Sequence, residues 1–422
     1  MKNTANAKPR LFQKDFTLVV IGQIISLFGN SILRFAMPLY ILQESGSAAV
    51  FGLVSASAFL PMLIMSPIGG ILADRVNKQR IMVVLDTVTA ALIAAFMVLS
   101  GKVSLIPLVV VTLMVLYGIQ GAYTPAVKAS IPLLAKGDLL VPANAAVNLV
   151  QSLSELLGPV AGGMLYGSFG LWPIVAVSGV CFALSAVIEL FIRIPYQKPA
   201  PGASVWAIVR DDMSRSIRFI VKENPLMARV ILIIFCINLF MSSMLNIGMP
   251  VIITSYLGLS SELYGLSQGI LAAGGLAGGL CAGLFAKRLN VANTHILLIL
   301  CAAEILPIGI SLLLGLPAVV SFWVLSCMGC LLMACATLFS IQMLSFLQAQ
   351  TPPDIIGKVV SCVMAISICS QPIGQALYGM LFESFAALPW VVVLGSGLIS
   401  LVVAFYSKAS FKALAADAAP AA

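Results

Sequence analysis

Charge is what this sequence has least of. Asp, Glu, Lys and Arg make up 9% of its 422 residues, against about 25% in a soluble domain. So few charges could not cover a water-facing surface of this size, which excludes a soluble globular protein. Histidine is represented by His295 alone, so the usual metal-ligand sets and His-based catalytic arrangements are missing. Phosphate-binding loops are missing too: GGLAGG at 274–279 has no Lys-Ser/Thr after it. Nothing here supports an enzyme, a resident metal or a cofactor. The nine cysteines (Cys181, Cys236, Cys281, Cys301, Cys327, Cys330, Cys335, Cys362 and Cys369) all fall inside apolar runs, and their number is odd, which argues against a disulfide framework. The CMGC at 327–330 has no His or carboxylate nearby and reads as ordinary packing.

What is present is apolar. Hydrophobic residues make up 61% of the chain, and the mean hydropathy is +1.09. A helix needs about 20 apolar residues to cross a bilayer. That ruler finds runs near 16–41, 48–73, 79–101, 104–127, 141–167 and 171–194. A second set lies near 227–255, 263–286, 292–315, 318–345, 357–382 and 388–407. The runs are continuous rather than alternating, so the expectation is an all-α membrane protein of twelve helices and not a barrel. The first run is too long for a signal-peptide core and is expected to be a retained span.

The basic residues set an expected orientation. With the N-terminus in the cytoplasm, 21 of the 23 Lys and Arg fall in inside segments; Lys102 lies outside and Arg34 within a span. This asymmetry is the positive-inside rule. It places both termini in the cytoplasm of a multi-pass inner-membrane protein, and it explains the net charge of +8 without a nucleic-acid partner.

The chain also repeats itself. Residues 69–80 read GGILADRVNKQR, and 213 positions later AGLFAKRLNVAN matches at Gly, Ala, Arg and Asn, with Lys287 in place of the acid. The same offset takes Pro159 in GPVAGG to Pro372 in QPIGQA. Six spans are thus followed by six in the same orientation, an arrangement that sets a substrate site near mid-membrane between the halves. The expected domains are residues 1–194, a linker at 195–226 and residues 227–422. In the linker Val205, Val209, Met213, Ile217 and Ile220 recur at helical spacing opposite Arg210, Asp211, Arg215, Arg218 and Lys222. That is a basic amphipathic helix suited to the lipid surface.

Twelve spans, the 6+6 repeat and GGILADRVNKQR together resemble the major facilitator superfamily. Its loop between spans two and three carries a pattern met here by Gly70, Leu72, Asp74, Arg75, Lys78 and Arg80. The resemblance implies an inner-side latch against span eleven, which begins beside Asp354. Asp74 suits a helix N-terminus, and Arg75 and Arg80 suit acids or helix-end carbonyls. Asp86, near the inner end of span three, is expected to join that network. SELLGPVAGG, with Gly158, Pro159, Gly162 and Gly163, resembles an element associated with exporters of the superfamily. MPLYILQESGS at 37–47, Pro61, Pro67, YTPAVKASIPLL at 123–134 and Asn144 resemble its drug- and macrolide-efflux branch, which also contains siderophore exporters. Members of that branch often carry an Arg in span four, three residues before a Gln-Gly pair. Here Gln120 and Gly121 are present and Tyr117 stands in the Arg position.

A charge at mid-bilayer costs about 2.5–3.5 kcal/mol on insertion scales, so each one calls for a reason. Glu155 lies about 16 Å into span five at 1.5 Å per residue, close to the midplane, and is the expected proton carrier. Arg34, late in span one, either snorkels outward or meets Glu155 or cargo. Glu304 in span nine falls on an outer scaffold helix by the resemblance; it is either neutral or bonded to a neighbouring helix. Asn30, Asn148, Gln151, Asn238, Asn246, Gln342 and Gln371 are candidate cavity contacts, and helix–helix hydrogen bonding accounts for any one of them equally well. The function expected is proton-coupled efflux of amphipathic small molecules by alternating access, by a monomer whose partners are substrate, protons and lipid. The alternatives are export of an endogenous siderophore or lipid-like metabolite, and a non-transporting receptor or scaffold.

Overall fold

The structure, a computed structural model, describes residues 11–196, 214–215, 217–285, 293–352 and 355–417. Long helices account for nearly all of them, in the order α1 (Lys14–Ser45), α2 (Ala48–Arg75), α3 (Lys78–Leu99), α4 (Leu105–Leu134), α5 (Leu140–Phe169) and α6 (Leu171–Leu190). Then follow α7 (Pro225–Tyr256), α8 (Ser261–Phe285), α9 (Thr294–Leu313), α10 (Ala318–Gln350), α11 (Ile356–Ser384) and α12 (Pro389–Asp417). A chain this apolar must satisfy each backbone N–H and C=O within its own segment, and the helix does that. Eleven of these helices are long and apolar enough to span a membrane. The exception, α5, carries Asn144, Asn148, Gln151 and Glu155. The protein is an all-α, multi-pass membrane protein.

Tight connections keep successive helices antiparallel. Gly46, between α1 and α2, has φ +62°, and Gly170, between α5 and α6, has φ +74°; both are left-handed conformations that a Cβ disfavours. Asn77 starts α3 by accepting a hydrogen bond from the Gln79 backbone N–H at 3.0 Å. The packing repeats six helices on: α3 lies along α6, and α9 lies along α12.

Two compact units are distinguished, as far as their residues are described: Met1–Met37, Leu60–Leu165 and Phe169–Gly202 in one, Pro38–Phe59, Tyr166–Ser168 and Ala203–Ala422 in the other. In the first, Phe16, Val19, Met82, Ala126, Val127 and Ile131 form an apolar core. In the second, Val230, Leu298, Phe339, Met343 and Phe411 do so. The second unit also holds the start of α2 against α11. Glu383 accepts hydrogen bonds from Ser47 Oγ at 3.0 Å and from the Ala49 backbone N–H at 3.3 Å, so an acid sits at a helix N-terminus.

Candidate transport site

α5 presents a polar stripe. Asn148, Gln151 and Glu155 lie three and four residues apart, on one face of the helix. Asn148 and Glu155 are exposed and Gln151 is half-buried. Gln151 Nε2 donates to Glu155 Oε1 at 2.9 Å, which holds the carboxylate in place along the helix. Gly158 and Gly162 continue this face and set how closely α5 approaches α1. A Cβ at Gly158 would collide with the Ser31 side chain, and one at Gly162 would meet the Phe35 ring at 3.0 Å. Gly163 is buried beside them, and Pro159 removes one backbone hydrogen bond from this turn. The glycine element of α5 is therefore a docking surface for α1, at the level of Arg34.

Arg34 does not meet Glu155. Its Nη1 donates to Gln120 Oε1, and its guanidinium lies over the Tyr117 ring, 3.9 Å from the centroid. A ring face attracts a cation in this way. The residue that stands in the span-four Arg position thus holds an arginine contributed by α1. Asn30, one turn earlier on α1, has a buried Oδ1 with no hydrogen-bond partner.

The second unit has its own amide chain. Gln371 Nε2 donates to Asn238 Oδ1 at 3.2 Å, and Asn246 Nδ2 donates to Gln371 Oε1 at 3.3 Å. Asn238 opens a π-helical stretch, Asn238–Ser242, a departure often found at functional sites. Ser243 Oγ bonds the Asn238 carbonyl at 3.0 Å, and Gly374 on α11 leaves room for that serine. This glycine–serine crossing of α11 on α7 parallels that of α5 on α1. Both Gln342 side-chain polar atoms are buried without partners.

At the α2–α3 turn, Asp74 and Arg80 are exposed, and Lys78 is half-buried. The Arg75 carbonyl accepts from Tyr196 OH at 2.7 Å. Gly70 has open space where a Cβ would stand. Gln79 ties this turn to the end of α6 through the Glu189 and Leu190 carbonyls, at 3.1 and 3.0 Å. Asp354, Lys287 and the linker from 197 to 213 lie outside the described residues.

Asp86 sits deeper than that turn. It is 2% exposed and accepts from Ser26 Oγ at 3.2 Å. The same region contains Glu189, fully buried, which accepts from Tyr123 OH at 2.6 Å. Reading the sequence missed Glu189, although an acid inside the apolar run 171–190 was the available signal. Glu304 is bonded to a neighbouring helix, accepting from Cys335 Sγ at 3.7 Å. Cys301, Glu304 and Cys335 bring their ligand atoms within 4.8 Å of one another, one ligand short of the four that a structural zinc site uses.

The profile of the Major Facilitator Superfamily matches residues 19–365. The chain belongs to that superfamily. The protein is a transporter, not an enzyme. It is 24% identical over 390 residues to macrolide efflux protein A of Streptococcus pyogenes, covering 92% of this chain and 94% of that protein. It is 24% identical over 398 residues to the enterobactin exporter EntS of Salmonella typhi, covering 91% and 89%. Among solved structures, that of the nucleoside transporter NupG superposes with a TM-score of 0.74 at 15% identity, covering 95% of this transporter and all of NupG. This likeness establishes the superfamily fold and carries no substrate with it.

Proposed function

We propose that this transporter exports amphipathic small molecules of the macrolide type across the cytoplasmic membrane, by proton-coupled alternating access. The observation that carries the reading is a set of polar groups on α1 and on the two helices, α4 and α5, that contact it. Arg34 is held by Gln120 and Tyr117, Asn30 keeps an unpartnered acceptor, and the Asn148–Gln151–Glu155 stripe is open. A fixed cation, an exposed carboxylate and neutral amides suit a ring-shaped cargo with hydroxyls and a basic amine. Glu155 would exchange a proton for the cationic group of the cargo. The likeness to macrolide efflux protein A, over nine-tenths of both chains, supports the same cargo class. Asp74 and its basic neighbours serve as the cytoplasmic latch in this reading. The domains are 1–194, 195–226 and 227–422, and both termini are cytoplasmic.

The test is a susceptibility panel in an efflux-deficient bacterial host. Expression should raise tolerance to macrolides severalfold, and a protonophore should abolish the gain. Unchanged tolerance across the panel would overturn the macrolide reading. The likeness to EntS favours one other cargo, an endogenous siderophore-like compound. For that cargo, export would be seen as secreted metabolite, with no change in drug tolerance.

A further inference from the structure

Away from the α5 stripe, the first unit buries a second set of polar groups. Asp86 on α3 and Glu189 on α6 are 2% and 0% exposed. Ser26 Oγ donates to Asp86 Oδ1, and Ser185 Oγ on α6 donates to the Gly22 carbonyl of α1 at 3.2 Å. Tyr123 OH on α4 donates to Glu189 Oε1 and accepts from Gln23 Nε2 at 2.7 Å. The second oxygen of each acid, Asp86 Oδ2 and Glu189 Oε2, is buried and has no partner. Among the described residues, the polar side chains seen around the pair are Gln23 and Ser26 from α1, Tyr123 from α4 and Ser185 from α6, and none of these four is a Lys, Arg or His.

Two carboxylates in such a place need a countercharge. Each is costly to bury as an ion without a charged partner, and their mutual repulsion adds to that. Glu189 also lies in the last turn of α6, where the helix dipole presents its negative end. Neutral hydroxyls and an amide soften the penalty but cannot cancel two charges. If the two acids share one proton, what the cluster lacks is one further small positive charge, and what it offers is two free carboxylate oxygens beside hard hydroxyl and amide oxygens. Oxygen donors of this kind suit a proton or an alkali ion and not a soft metal.

We propose that Asp86 and Glu189, with Tyr123, Ser26 and Gln23, share one proton and form a buried binding site for one further monovalent cation, separate from the proton exchanged at Glu155. That this cation is a second coupling ion rests on the export reading; that it binds does not. With the cation bound and one proton shared by the pair, α1, α3, α4 and α6 are held around a neutralised centre. Without it, the uncompensated charge loosens that packing.

The test is infrared difference spectroscopy on the purified full-length protein in lipid nanodiscs, first in choline chloride. One arm adds sodium chloride at fixed pH, and the other steps the pH in choline chloride. The expected result is a carboxyl difference band in one arm that is lost in the Asp86→Asn/Glu189→Gln double variant. A response in the sodium arm identifies an alkali ion, and a response in the pH arm alone identifies a proton. Tyr123→Phe removes a single hydroxyl, keeps the helices packed and should shift the band without abolishing it. No wild-type response, or the same response in the double variant, would overturn the proposal. Macrolide export in vesicles is measured alongside. A carboxyl response without export leaves the site standing and removes the export reading; export without the response does the reverse.

Discussion

Arg34 is the residue on which the proposed transport site turns. Its planar guanidinium stacks on Tyr117 while donating to Gln120. Arg34→Lys keeps the charge and loses the planar fork. A cation–π contact is worth about 0.5–2 kcal/mol, so export by the lysine variant should fall severalfold, with protein in the membrane unchanged. Wild-type export in Arg34→Met would remove this residue from the site. Glu155 permits a cleaner substitution. Its bond from Gln151 persists in Glu155→Gln, where the new amide oxygen still accepts, so only the ability to ionise is lost. Cargo binding should survive and export driven by an imposed pH gradient should stop; an unaltered gradient response would place coupling elsewhere. Asp74→Asn should slow transport at normal protein levels. Adding Lys287→Asp should not restore it, because that position belongs to the other repeat.

At the scale of the element, the glycines of α5 matter for the space they leave. Gly158 faces Ser31 so closely that a Cβ must displace the serine side chain. Overpacking of this kind costs about 1–3 kcal/mol. Gly158→Ala should lower the melting temperature in detergent, and Ser31→Gly added to it should recover most of the loss. That recovery is the non-additivity expected of residues in contact. If the double variant melts no higher than Gly158→Ala, the crossing of α5 on α1 is set by something else. Read as a sequence, GPVAGG is a short exporter-like element; its physical content appeared only with the partner helix in place. The same holds for the Asn238 π-stretch, which hydropathy does not report.

At the scale of the whole molecule, the linker is proposed to lie on the lipid surface. Residues 205–222 combine an apolar stripe with a basic face, and such a helix binds an anionic leaflet through buried area and charge together. Replacing Trp206, Val209 and Ile217 with Ser should leave all spans inserted and expose the linker to protease added from the cytoplasmic side. Equal cleavage of wild type and variant would remove the surface-helix idea. The architecture itself was readable in advance. Of the twelve apolar runs, the α5 run alone falls short of a membrane-spanning stretch, because Asn144, Asn148, Gln151 and Glu155 interrupt it.

Hydropathy by itself determined an all-α membrane protein of twelve apolar runs, and the 213-residue repeat with the GGILADRVNKQR resemblance pointed to a six-plus-six transporter. A bilayer leaves the chain few other ways to satisfy its backbone, and that constraint acts locally, residue by residue. Glu155 and the α5 glycines were also found this way, because a charge or a small residue stands out within an apolar run. Partnerships were beyond its reach. Whether Arg34 met Glu155 or Gln120, and whether Asp86 joined the Asp74 turn or Ser26, depended on how helices distant in sequence rotate about their axes. Hydrogen-bond geometry fixes such choices within a few tenths of an ångström, and only packed helices supply it. Glu189 joins Tyr123 across 66 positions of chain, a distance over which sequence spacing carries no geometry.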